Sequence, residues 1–221
     1  MKKPVLRAEN VEVLLENRFV SVTDLKYDGL KHYYNVSRRA PGDIIALKSD
    51  EAFKSMLPDA VTCMVIVRVR GGEPKLLMTK EFRYPTGQFL LSPPAGLMDP
   101  SDREEPVPQI ATAVREIREE TGLALRDTDR VFIVSPFLFS TPGLTDECNA
   151  VVCAVADIDD ESVFNADGEE GTEVIGDYTL LSKEDARRIL RQGRDDEGIF
   201  YSVYTYLELL YFISGLWEEE L

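Results

Sequence analysis

The chain has 221 residues, enough for one large domain or one domain with an added arm, and 44% apolar with 29% charged residues is the profile of a globular protein. A formal charge of −15 opposes contact with nucleic-acid backbone or anionic membrane, so neither is expected as a partner. The three cysteines (Cys63, Cys148, Cys153) lack paired spacing, which argues against a disulfide framework or a zinc site, and the lone histidine, His32, leaves no multi-histidine metal centre.

Short apolar bursts at 11–14, 19–22 and 32–36, with a turn at Tyr27-Asp28-Gly29, read as a small antiparallel meander. Asp43–Leu47 reads as another short strand. A hairpin follows, with strands over 61–70 and 75–82 around Gly71-Gly72-Glu73-Pro74. Phe89-Leu90-Leu91 runs into Ser92-Pro93-Pro94-Ala95-Gly96, read as a loop, and the acidic, proline-rich stretch 98–108 as an exposed excursion. From Gln109 to Thr121, Ile110, Ala113, Val114 and Ile117 fall on one helical face, and Gly122 marks its end. Strands are expected at 130–139, 148–157 and 173–181, an acidic loop at 158–172, a helix opened by Ser182, and a last helix over about 199–217. No run approaches the roughly 20 apolar residues of a membrane span. Nothing after Met1-Lys2-Lys3-Pro4 reads as a signal peptide, so a cytoplasmic location is expected.

The chemistry concentrates in Arg115-Glu116-Ile117-Arg118-Glu119-Glu120-Thr121-Gly122-Leu123. On a helix Glu116, Glu119 and Glu120 share one face, where they repel each other by roughly a few tenths of a kcal/mol per exposed pair. A hard divalent cation relieves that repulsion, and Mg²⁺ takes oxygen ligands while keeping waters for a substrate phosphate. A solvated charged helix face is the alternative reading of a glutamate-rich helix.

The whole string resembles the signature of the Nudix hydrolases: a glycine, a glutamate, then Arg-Glu-apolar-x-Glu-Glu-x-Gly-apolar. Arg115 to Leu123 matches the second half at every specified position. The first half departs. The best leading glycine is Gly96, eighteen residues separate it from Arg115, which is more than the signature has, and Glu104 and Glu105 are the candidates for the first glutamate. Pro94-Ala95-Gly96-Leu97, Glu81-Phe82-Arg83-Tyr84-Pro85 and Ser140–Glu147 are similar to the ADP-ribose and nucleotide-sugar pyrophosphatase branch, and the likeness runs from about 17 to 212.

The resemblance implies an α/β fold, the Nudix α/β/α sandwich, over 58–221, with an N-terminal antiparallel β-arm over 1–57 that supports a homodimer. It implies cleavage of ADP-ribose or a related nucleoside diphosphate sugar, with Mg²⁺, or alternatively Mn²⁺, as cofactor. The metal ligands would be Glu116, Glu119, Glu120 and the carbonyl of Ala95, with Arg115 orienting the glutamates and Gly96 in the site loop. Arg83 would meet the phosphates, a surface ion pair being its alternative. Phe19 and Tyr34 match places where related enzymes stack an adenine, often across a dimer interface, and Glu147 either lines the site or caps a turn. The general base would be a glutamate of the acidic loop. Counting back from Glu173-Val174 selects Glu170, and counting forward from Asp167-Gly168 selects Glu169; Glu173 is the third candidate. Another nucleoside-diphosphate-linked substrate, or a nucleotide-binding module without activity, are the competing readings.

Overall fold

The computed structural model describes residues 4–29, 31–165 and 174–219. The chain divides into two compact units. One comprises residues 1–59 with 139–149, and the other 60–138 with 150–221.

The first unit is built on an antiparallel sheet, β1 (Val11–Glu16), β2 (Ser21–Tyr27) and β3 (Lys31–Ser37), in that order. The expected meander is therefore present. Residues 43–47 are not a strand. Ile45–Leu47 forms a 3₁₀ turn, followed by the short helix α1 (Asp50–Ser55), capped by the Ser49 hydroxyl on the Ala52 amide. The segment 139–149 joins this unit although the sequence places it far from the arm. The Val36 amide donates to the Leu144 carbonyl at 2.9 Å, and the Tyr33 hydroxyl to the Gly143 carbonyl at 3.0 Å. Arg39, nearly buried, pairs with Asp59 at 2.6 Å and lies 3.7 Å from Asp146, whose other oxygen takes the Ile45 amide.

In the second unit a seven-stranded sheet has the order β10 (Thr179–Leu181), β5 (Lys75–Arg83), β4 (Ala60–Val69), β9 (Cys148–Ile158), β8 (Arg130–Phe139), with β6 (Gln88–Ser92) on β5 and β7 (Ala95–Leu97) on β4. β4 is buried through its first eight residues, so alternate side chains must be covered on both faces. Met64 and Ile66 point into one layer, against Leu209 and Phe212 of α4 (Val203–Ser214) and Ala186 and Ile189 of α3 (Lys183–Gln192). Cys63 points the other way, its thiol 3.9 Å from the Ala113 carbonyl of α2 (Pro108–Thr121). Helices on both faces of the sheet make the expected α/β/α sandwich. Each large side chain sealed in these layers contributes roughly 1.5–3 kcal/mol.

Three further expectations are corrected. Ala95–Leu97 is a short strand rather than loop, paired Thr62 to Ala95 and Ala60 to Leu97. Among the described residues of 174–181, only Thr179–Leu181 is strand, with an isolated bridge from Ile175 to Glu81. The last helix begins at Val203 and stops at Gly215 (φ 79°), after which α5 (Leu216–Glu219) turns Trp217 into the core.

Candidate active site

Helix α2 starts with Pro108, whose missing amide costs nothing at a helix N-terminus, and ends on Gly122 at φ 74°. A side chain at Gly122 would also meet Asn165 at 2.8 Å. The buried face of α2 carries Thr112, Ala113, Glu116 and Ile117, whereas Val114, expected on that face, is exposed. Glu116 is thus an acid on an otherwise apolar or small face, 8% exposed.

What Glu116 faces is Gly96. A Cβ on Gly96 would sit 1.9 Å from one Glu116 carboxylate oxygen and 2.4 Å from the other, so with any larger residue there the Glu116 carboxylate would have to move. Two further links hold β7 to α2. The Ala95 amide donates to Glu120 at 3.3 Å, and Arg115 donates to the Leu97 carbonyl at 3.0 Å.

Arg115 organises the cluster. One terminal nitrogen lies 2.7 Å from Glu116 and 2.8 Å from Glu119; the other is 2.8 Å from Asp102. Asp102 is 6% exposed and also accepts from the Asp99 amide and the Thr112 hydroxyl, at 3.0 and 3.1 Å. Burial works to raise the Asp102 carboxyl, but the hydrogen bonds from Arg115 and the Asp99 amide outweigh it and hold it below the usual range. Burial likewise works against the Arg115 charge, and Asp102, Glu116 and Glu119 together more than offset it. The local field is negative. The fully buried Cys63 thiol is pushed well up by burial first and then by charges that include Glu120 and Glu116.

By donor chemistry, though not yet by convergence, the residues suit a hard divalent ion. The donors gathered beside Gly96 are carboxylate oxygens on one helical turn and the backbone of β7, with three acids sharing one guanidinium. As they stand, no three or more acidic, histidine or cysteine side chains among the described residues are placed together to hold a metal ion. Arg115 engages Glu116 and Glu119, and the Ala95 amide engages Glu120.

A family model for the NUDIX domain matches residues 56–201. The chain belongs to the Nudix family. A putative Nudix hydrolase of Caenorhabditis elegans is 34% identical over 102 residues, 46% of this chain and 41% of that protein, so the match spans less than half of the relative. An ADP-ribose pyrophosphatase of Bacillus subtilis is 29% identical over 152 residues, covering 69% of this chain and 73% of that one. A solved structure of an ADP compounds hydrolase superposes with a TM-score of 0.59 at 19% identity, over 100% of this chain and 96% of that chain, which supports the Nudix fold.

The second unit holds Ala95 together with Gly96, Arg115, Glu116, Glu119 and Glu120 of the signature. Arg83 lies at the β5 end of the β5–β6 hairpin, half-exposed and 2.5 Å from Glu81. Phe19, Tyr34 and Glu147 belong to the first unit. Phe19 and Tyr34 are exposed there, with the Arg18 guanidinium 4.2 Å over the Phe19 ring, and Glu147 pairs with Arg38 at 2.5 Å. Glu169, Glu170 and Glu173 lie outside the described residues.

Sequence reasoning missed Asp102. It offered Glu104 and Glu105 as candidates for the first glutamate of the signature and did not single out Asp102, which pairs with Arg115 at 2.8 Å. The one available signal was an aspartate six residues after Gly96, in a stretch read as exposed. A 3₁₀ turn, Asp102–Glu104, with Asp102 buried, brings it back to the helix.

Proposed function

We propose that this Nudix protein hydrolyses the pyrophosphate of ADP-ribose or a related nucleoside diphosphate sugar, giving a nucleoside monophosphate and a sugar phosphate. The observation that carries the reading is the approach of Gly96 to Glu116 beside Arg115, Glu119 and Glu120. Three acids that repel each other do nothing for a pure binding module, whereas they suit a divalent cation. Glu116, Glu119, Glu120 and the Ala95 carbonyl would hold Mg²⁺, with Mn²⁺ as a substitute. When bound, the ion supplies charge to polarise the pyrophosphate and to lower the pKa of a water.

The chain's own residues have separate tasks. Arg115, fixed by Asp102, orients Glu116 and Glu119. Arg83 offers a fork of donors to phosphate oxygens. Glu170, with Glu169 and Glu173 as alternatives, takes the proton of the attacking water. Phe19 and Tyr34, exposed aromatics of the first unit, are the candidates to stack a base, and Glu147 to line the site. The ADP-ribose pyrophosphatases among the relatives, of Bacillus subtilis and of Saccharomyces cerevisiae, support this substrate class.

The first unit would serve as a dimerisation arm. Val13, Leu14 and Leu15 are exposed in succession on edge strand β1, a surface suited to a second copy. Sedimentation at micromolar concentration should give a dimer, and a monomer sinks that part of the proposal. A cytoplasmic setting agrees with three cysteines that are free and buried, Cys148 being pushed up to about 12 by burial and by Asp59, and no described helix is long and apolar enough to cross a membrane.

The deciding experiment is a panel of nucleoside diphosphate compounds incubated with Mg²⁺, read as phosphate released after phosphatase treatment. ADP-ribose or another nucleotide sugar should lead the panel. No turnover of any member, with tight nucleotide binding, would favour the binding module instead.

A further inference from the structure

Helix α4 carries one charged side chain, Glu208, in the sequence Val-Tyr-Thr-Tyr-Leu-Glu-Leu-Leu-Tyr-Phe-Ile-Ser. Glu208 lies on the buried face with Thr205 and Phe212 and is 0% exposed. Among the described residues neither of its carboxyl oxygens has a hydrogen-bond partner. Acids are rarely buried without a partner, and this one takes no part in the chemistry proposed above.

Among the described residues no cation pairs with it: Arg130 of β8, which acts with Glu208 on the Cys153 thiol, donates instead to the Trp217 carbonyl at 3.2 Å, and its other terminal nitrogen has no hydrogen-bond partner. β6 reads Gln-Phe-Leu-Leu-Ser and has no ionisable group. From β4 and β9 the groups that feel its charge are the thiols of Cys63 and Cys153, both held neutral by burial. The charges of α3 are engaged elsewhere: Lys183 with Glu218 of α5, Asp185 with Arg188, Arg188 also with Asp196, and Glu184 beside Arg187 and Arg191. Glu219, the other acid of α5, is exposed. Burial alone pushes the Glu208 carboxyl well above the ordinary glutamate range. A carboxylate in such surroundings either binds a proton or moves to water.

We propose that Glu208 is a pH-sensitive latch on α4: the helix is docked with this side chain as the neutral acid, and loss of the proton opens the helix toward solvent. The latch reaches the candidate site through β6. One turn before Glu208, the Thr205 hydroxyl donates to the Leu91 carbonyl at 2.7 Å, and the Leu91 amide donates to the Phe200 carbonyl at 2.8 Å. From Leu91 the chain continues through Ser92, Pro93 and Pro94 into Ala95. Opening α4 therefore slackens the strand that delivers the β7 backbone to Glu116 and Glu120.

The pH dependence has a definite sign. In the unfolded chain Glu208 ionises at its ordinary value, near pH 4.5; in the folded chain it keeps its proton to higher pH. Its cost to stability is absent below that pH. Above it, the unfolding constant rises about tenfold per pH unit until the folded pKa is passed.

The test compares the full-length protein with Glu208→Gln, which keeps the shape and cannot ionise. Urea unfolding followed upward from pH 5 should show the wild-type unfolding constant rising with pH relative to the variant, by up to about tenfold per unit while the folded protein keeps the proton. Should Glu208→Gln fail to fold, Glu208→Leu replaces it. Hydrogen exchange on the wild type, corrected for intrinsic chemistry, needs no variant: amides of α4 should lose protection with rising pH more steeply than those of β4. Parallel pH curves for wild type and variant, or α4 protection that follows β4 across the range, overturn the proposal.

Discussion

Replacing Asp102 by Asn tests the arrangement around Arg115 with almost no change of shape. The carboxylate takes the two Arg115 nitrogens at 2.8 and 3.3 Å, the Asp99 amide and the Thr112 hydroxyl. Asn offers one acceptor oxygen, and its amide group sets donors against the guanidinium. Two charge-assisted bonds are lost or weakened, each worth about 1.5–3 kcal/mol gross. Arg115 keeps Glu116 and Glu119 at 2.7 and 2.8 Å and is a quarter exposed, which returns part of that. The net loss should be about 2–3 kcal/mol, a fall in Tm of roughly 5–10 °C for a chain of this size. Released from Asp102, the guanidinium can close further on Glu116 and Glu119, so Mg²⁺ should bind roughly 10–100-fold more weakly. Because the Asp102 carboxyl is held below its ordinary value of 3.8, its stabilisation is complete above that pH and disappears as pH falls through the lowered value. The gap in Tm between wild type and Asp102→Asn should therefore narrow on acidification from about pH 5 to pH 3. Calorimetry across that range and Mg²⁺ titration at pH 7 measure both effects. An Asp102→Asn protein with unchanged Tm and unchanged Mg²⁺ dependence would refute the clamp.

Gly96→Ala should force Glu116 aside, because its new methyl group would sit 1.9 Å from a carboxylate oxygen; the expected cost is about 1–3 kcal/mol, with a higher Mg²⁺ requirement. Normal metal dependence in that variant would show that the close approach is not needed. Glu119→Gln and Glu120→Gln should each lower turnover about 100-fold or more with the fold intact, and near-normal activity at saturating Mg²⁺ would remove that residue from the ligand set. Glu170→Gln should lower kcat far more than it changes KM or metal affinity; measuring Glu169→Gln and Glu173→Gln in parallel distinguishes a register error from a base located elsewhere.

Local periodicity determined much of this protein. The i, i+3, i+4 spacing of Glu116, Glu119 and Glu120 needs only helical geometry to place three carboxylates together, and β4, β5, β8 and β9 announce themselves by apolar runs bounded by turns. Asp43–Leu47 is apolar enough for a strand, but no strand among the described residues pairs with it, and the 3₁₀ turn and Ser49 cap win instead. Ala95–Leu97 reads as loop because of its prolines and glycine, yet β4 supplies a partner and makes it a strand. The sequence also marks Gly96 as notable, without the reason, which is a carboxylate from a helix twenty residues later. Asp102 and Glu208 were hidden for the same cause. An acid in a polar excursion and an acid in a helix look solvated until distant segments close over them, because burial and hydrogen-bond partners are set by contacts far apart in the chain. Tertiary structure alone decided that one of these acids is clamped by an arginine and the other sealed with no hydrogen-bond partner among the described residues.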